Sequence, residues 1–199
     1  MYLIFREVLV AINLYRRHKV WKTFGRPGQK DGKMSNNKDY KVPPSTRIGH
    51  VHLKVSNLER SLLFYNGLLG FEVTQRMGDA AVFLSAGGYH HHIGLNTWHS
   101  KGAPEASKRG VGLYHTAIVY EHRKELAQVL KRLIDAEYPL TGAADHGVSE
   151  ALYLNDPDGN GVELYYDRAR EHWPRKKDGS LEMYTRALHL DHLLAELNN

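Results

Sequence analysis

Residues 47–55 alternate apolar and polar, with Val51, Leu53 and Val55 on one side and His50, His52 and Lys54 on the other. That is the period of a half-buried strand. The period then changes. Asn57 is placed as an N-cap, and Leu58, Leu62, Tyr65 and Leu69 recur at helical spacing, which predicts a helix over 58–69 closed by Gly70. Short strands are predicted next at 71–77, 80–86 and 90–98, divided by the turn pairs Gly78-Asp79 and Gly87-Gly88.

The same order then repeats. After a polar loop over 99–110, a strand is predicted at 112–120 and a helix at about 122–137, with Leu126, Val129, Leu130, Leu133 and Ile134 as its apolar stripe. Strands near 139–142, 149–154 and 161–166 complete it. The chain therefore reads as α+β, with two βαβββ modules at 47–98 and 111–166 inside a domain spanning 46–168. Neither module is large enough to bury its own sheet, so their curved, mixed sheets are expected to share a centre. Residues 169–199 form a charged C-terminal extension ending in the short amphipathic segment HLDHLLAEL.

Composition narrows the chemistry. The chain has no cysteine, which excludes disulfides, thiolate metal sites and cysteine nucleophiles, while 13 histidines supply nitrogen donors. The net charge of +5 is misleading until it is located. Residues 1–33 hold eight basic residues against Glu7 and Asp31, a net of +6, which leaves the remainder at −1 by difference. The body gives no support for nucleic-acid binding. The opening MYLIFREVLVAINLY is too short and too charged to span a membrane, and it lacks a secretory layout. Residues 1–45 are expected to be a basic, disordered or artefactual leader with a polar linker, Met34 being the natural start. The expected location is the cytoplasm.

The two modules open alike, GHVHLKV at 49–55 and GLYHTAIVY at 112–120, with His50 and His115 sixty-five residues apart. The second closes on DPDGNGVEL, which carries Glu163. Taken singly, each of these is an ordinary strand residue, and DPDGNG is an ordinary turn. Taken together they are two imidazoles and a carboxylate that a pseudo-twofold repeat can gather, a ligand set for a divalent metal with open positions. Alternation supports a shared cavity. His90, His92, Gly94 and Asn96 fall on one face of their strand, Gly161, Glu163 and Tyr165 on one face of theirs, and Ala151 and Tyr153 likewise. A carboxylate placed between Val162 and Leu164 is costly to bury alone, and a metal partner removes that cost.

GHVHLKVSNLERSLLFYNGLLGFEV (49–73) and DHGVSEALYLNDPDGNGVELYYDR (145–168) resemble the vicinal oxygen chelate superfamily, which includes glyoxalase I, type I extradiol dioxygenases and bleomycin-resistance proteins. The resemblance covers roughly 47–185 and is closer to catechol 2,3-dioxygenase-like proteins. It implies metal ligation by His50, His115 and Glu163. It also implies an acid/base histidine at His92 within HHHIGL, a substrate-contacting tyrosine at Tyr153 and a further active-site histidine at His146. Glyoxalase I has a fourth ligand, a glutamate, where this chain has His92. Typical extradiol dioxygenases have two paired domains where this chain has one.

The implied activity is extradiol cleavage of a catechol-like diol with O₂ at Fe(II), in a homodimer with no nucleic-acid or membrane partner. Mn(II), Ni(II) or Zn(II) also suit such a ligand set. A glyoxalase-type lyase or isomerase and a non-catalytic binding or resistance protein stand as alternatives.

Overall fold

The computed structural model describes residues 39–105, 107 and 109–198. The expected leader over 1–33 and the start at Met34 lie outside the described residues. The described residues before Ile48 belong to a unit of their own and contain a Pro43–Thr46 turn. The second unit, Ile48–Asn199, holds every element below.

Its first module runs β1 (Val51–Lys54), α1 (Leu58–Leu62), β2 (Glu72–Met77), β3 (Ala81–Ser85) and β4 (Ile93–Asn96). The second runs β5 (Thr116–Tyr120), α2 (Arg123–Asp135), β6 (Gly142–Asp145), β7 (Ser149–Asn155) and β8 (Gly161–Asp167). The sheet orders are β1-β4-β3-β2 and β5-β8-β7-β6, the latter extended at its edge by a two-residue strand β9 (Arg186–Ala187). In both sheets the first and last module strands pair in parallel, β1 with β4 and β5 with β8, and the other module pairs are antiparallel. The fold is the α+β vicinal oxygen chelate arrangement of paired βαβββ modules. The repeat seen in the pattern of residues is thus a repeat of strand order and direction.

Local chemistry explains most boundaries. Asn57 caps α1, its side-chain oxygen accepting from the Arg60 N–H at 3.0 Å. The predicted single helix over 58–69 is not regular: α1 passes into a π-helical turn over Leu63–Leu68. There the Leu69 N–H donates back to the Phe64 carbonyl, five residues earlier. Helix α2 opens with the Glu125 carboxylate accepting from the His122 N–H at 3.0 Å. Its buried side carries Leu126, Ala127, Val129, Leu130 and Leu133, whereas Ile134 is exposed. The strand expected near 139–142 lies at Gly142–Asp145, because Pro139 has no N–H to give a ladder. The strand expected over 90–98 is only Ile93–Asn96, so the period-two reading does not extend through His90–His92.

One core serves both modules. Leu53, Val55, Val82, Leu84, Ile93 and Leu95 from the first pack in the same cluster as Leu126, Leu130, Leu133, Leu152, Leu154 and Leu164 from the second. At this shared seam the DPDGNG turn is tied to the first module. The Asp156 carboxylate, 4% exposed, accepts from the Asp158 and Asn160 N–H groups, the Asn160 amide and the Tyr65 hydroxyl of the other module. Asp158 reaches back to the Ser56 N–H at 3.0 Å and to the Arg60 guanidinium. Arg132 of α2 donates to the Gly67 and Leu68 carbonyls at 2.7 and 2.8 Å.

Burying a carboxylate requires a full set of donors, and removing it strands them. Asp156→Ala is therefore expected to lower stability by about 2–4 kcal/mol, read as a lower denaturant midpoint with the slope unchanged.

Candidate metal and proton-transfer site

Glu163 lies in the middle of β8, opposite Ala117 of β5 and Tyr153 of β7. His115 stands one residue before β5, so the parallel pairing sets its ring beside the Glu163 side chain. Gly161 permits this approach. A Cβ there would collide with the Tyr114 carbonyl oxygen and lie 3.1 Å from the His115 Cβ. The result is a facing pair, His115 Nε2 2.9 Å from Glu163 Oε2, with both side chains substantially buried.

Behind the pair runs a hydrogen-bonded chain. The Tyr153 hydroxyl lies 2.9 Å from Glu163 Oε1 and 2.7 Å from His146 Nε2. Burial, followed by the bond to the Glu163 carboxylate and its charge, pushes the Tyr153 hydroxyl well above the ordinary tyrosine range. It stays protonated and can donate. Asp167, on the same strand, is raised by burial and by the Glu163 charge. The second module therefore gathers four of the six residues singled out in the sequence: His115, Glu163, Tyr153 and His146.

The other two stand in the first module. His50 is exposed, and its ring packs 4.4 Å from that of His91. His92 turns toward β3, with Nδ1 3.0 Å from the Ser85 hydroxyl and 3.4 Å from the Ala86 N–H. Since 90–92 is not strand, its side chains do not follow the alternation, and the ring beside His50 is His91. His91 also faces Phe83 and touches His90, the two Nδ1 atoms being 2.7 Å apart. Partial burial, then the neighbouring His50 and His90, keep the His91 imidazole below its ordinary value of 6.5. His91 is not among the residues singled out in the sequence, because strict alternation sets it on the face opposite His90 and His92.

Among the described residues no three His, Asp or Glu side chains converge closely enough to hold a metal ion. His50 is thus not gathered with His115 and Glu163 within one chain. The paired donors nevertheless suit a divalent cation. An imidazole nitrogen and a carboxylate oxygen lie in contact, and His115 Nδ1 is buried without a hydrogen-bond partner. With Nδ1 unpartnered, the one polar contact of the ring among the described residues is Nε2 with the Glu163 carboxylate, the position a cation would take between them. The donor set is nitrogen and oxygen only, in keeping with Fe(II), Mn(II), Ni(II) or Zn(II).

Catechol-2,3-dioxygenase of Bacillus subtilis (strain 168) is 43% identical over 156 residues, covering 78% of this chain and 53% of that protein. Biphenyl-2,3-diol 1,2-dioxygenase 3 of Rhodococcus globerulus is 33% identical over 121 residues, 61% of this chain and 63% of that one. The chain thus spans between about half and two thirds of the length of these dioxygenases. Lactoylglutathione lyase of Neisseria meningitidis serogroup A is 27% identical over 123 residues, 59% of this chain and 88% of that protein. Among solved structures, a glyoxalase/dioxygenase from Nostoc punctiforme superposes with a TM-score of 0.53 at 16% identity, over 66% of this chain and 99% of that one, a likeness of fold alone. Residues 47–164, the stretch that carries the first module, nearly all of the second and the His115–Glu163 pair, match the model of the Glyoxalase/Bleomycin resistance protein/Dioxygenase superfamily, and to that superfamily the chain belongs.

Proposed function

We propose that this protein is a cytoplasmic, homodimeric Fe(II)-dependent extradiol dioxygenase that cleaves a catechol-like diol with O₂. The observation that carries the reading is the half-buried His115–Glu163 pair backed by Tyr153 and His146. The 43% identity to a catechol-2,3-dioxygenase supports it. When bound, the metal lowers the pKa of a chelated hydroxyl and brings diol and O₂ together. Tyr153 then presents a donor to the substrate oxygens as charge develops there, with His146 placed behind its hydroxyl. A first-module histidine, His92 in this proposal, takes the proton released by the diol and returns it to the leaving oxygen.

The third ligand comes from the partner subunit. One chain does not bring His50 to His115 and Glu163, while Ile48, Trp98, Tyr114 and Val119, near the two opening histidines or in strand β5, are exposed apolar residues. A second copy related by a twofold axis covers such surface and sets His50 of one subunit against Glu163 of the other.

A lyase reading has one observation in its favour, the 88% coverage of a lactoylglutathione lyase by a single paired module. Oxygen uptake with catechols against loss of a thiohemiacetal separates the two. A binding protein would do neither.

Anaerobically purified protein is expected to carry stoichiometric metal by elemental analysis and to consume O₂ with substituted catechols. Glu163→Gln and His115→Ala lose the metal. A folded, metal-replete protein that takes up no O₂ with any catechol would overturn the dioxygenase reading. The shared site has its own test. Co-expressed His50→Ala and Glu163→Gln chains, each inactive alone, should recover about a quarter of wild-type activity, because half of randomly formed dimers hold one intact site. A site within one chain recovers none. Finally, His92→Ala should retain metal and slow turnover by on the order of 10²–10⁴. Should His91→Ala produce that loss while His92→Ala turns over normally, the proton-transfer role passes to His91.

A further inference from the structure

The hydrogen-bonded chain behind Glu163 does not end at His146. Its Nδ1 lies 3.1 Å from the Tyr184 carbonyl and 3.2 Å from the Thr185 hydroxyl, both in the C-terminal extension. A carbonyl oxygen only accepts, so this contact assigns a proton to Nδ1 and directs the other nitrogen at Tyr153. We propose that the strap Arg175–Ala187 is a working part of the site. Through the Tyr184 carbonyl and the Thr185 hydroxyl it holds the His146 imidazole in a single orientation and tautomer, with Nε2 the acceptor facing the Tyr153 hydroxyl. The proposal rests on the reading that Tyr153 and His146 serve the Glu163 centre.

A histidine bonded to a backbone carbonyl can also be nothing more than an anchor for the strap. Two observations argue against that role. First, the strap is fixed without the His146 side chain. The Tyr184 N–H donates to the His146 carbonyl, and Arg186 and Ala187 pair with Asp145 and Ala144 of β6. The Arg186 guanidinium stacks over the Tyr184 ring at 4.1 Å, and the Glu182 N–H donates to the Pro174 carbonyl at 2.9 Å. Beyond the strap, Leu193 is fully buried and Glu196 pairs with Arg123 at 2.6 Å. Second, the far side of the imidazole meets Tyr153 at 2.7 Å, one hydroxyl away from Glu163. The strap needs no histidine, but the histidine needs the strap.

Gly147 makes the contact possible. Its φ is +80°, and a Cβ there would lie 2.7 Å from both Pro174 Cγ and Tyr184 Cε1. A side chain at 147 meets the Tyr184 ring and Pro174 and is expected to disturb the strap beside His146. The consequence is a matter of proton count. The Tyr153 hydroxyl donates to Glu163 Oε1, and in the proposed tautomer Nε2 at 2.7 Å is a second acceptor for its one proton. With the Nδ1 proton fixed by the strap, His146 competes for that proton. With the strap displaced, the ring exchanges tautomers and becomes a donor for part of the time.

The experiment uses the full chain labelled with ¹⁵N-histidine and kept metal-free, the His146 signals being assigned by their loss in His146→Gln. Wild-type protein is expected to show a protonated-type shift at Nδ1 and an unprotonated-type shift at Nε2. In Gly147→Ala the two shifts converge as tautomers average, and Thr185→Val moves them in the same direction by less. Thr185→Ser restores them. In metal-loaded enzyme Gly147→Ala lowers kcat by on the order of tenfold with KM changed less than twofold. A merely structural strap lowers the melting temperature and leaves both shifts in place, and that result overturns the proposal. So does a wild-type proton on Nε2 alone. If Gly147→Ala does not fold, Thr185→Val against Thr185→Ser decides in the same way. The shifts are read without metal or turnover, so failure of the dioxygenase reading is seen separately, in absent O₂ uptake by the wild-type enzyme.

Discussion

The buried Asp156 carboxylate is the constraint on which the rest of the molecule depends. It is a charge in a nearly dry environment, and four donors hold it there, three from its own turn and one from Tyr65 of the other module. The turn must therefore adopt one shape, and that shape must meet helix α1. Gly161, immediately after the turn, then runs against the Tyr114–His115 backbone, and two residues later Glu163 arrives beside the imidazole. The position of the candidate ligands is in this sense a consequence of how one carboxylate is solvated by protein. Removing the donors would not simply loosen a loop; it would free the turn between β7 and β8 from its tie to Tyr65 of the first module.

The site is built unevenly from the two modules. The second supplies a carboxylate, an imidazole and a proton chain already in contact, while the first supplies a cluster of histidines facing outward. Topological equivalence of the modules does not make their chemistry equivalent, because the residues before β4 leave the strand and the residues before β8 form a tight, fully bonded turn.

Much of this is legible in the sequence, for reasons that differ by element. The Val51/Leu53/Val55 face, the Asn57 cap and the α2 stripe through Leu133 are local patterns, and local patterns survive folding. Alternation puts Tyr153 and Glu163 each on the cavity side of its own strand, and antiparallel pairing of β7 with β8 sets them side by side. His91 could not be placed in this way, since three consecutive histidines carry no periodic signal once the strand is shorter than its apolar run suggests. The strap could not either. Its contacts with His146 pass through a backbone carbonyl and a glycine at φ +80°, and neither leaves a compositional mark. Likewise the ion pairs joining Arg123 and Arg168 to Glu150 bridge residues far apart in the chain, which no local pattern reveals.

The π-helical turn at Leu63–Leu68 shows how one residue of chain length acts at a distance. A π turn is an α-helix with one residue inserted, and it rotates everything after it by about 100° relative to the regular helix. That rotation presents the Gly67 and Leu68 carbonyls to the Arg132 guanidinium of the second module. The joint between the modules is thus recorded in a count of residues as well as in their identities. A chain one residue shorter here would form a more regular helix and lose the Arg132 tie to the second module.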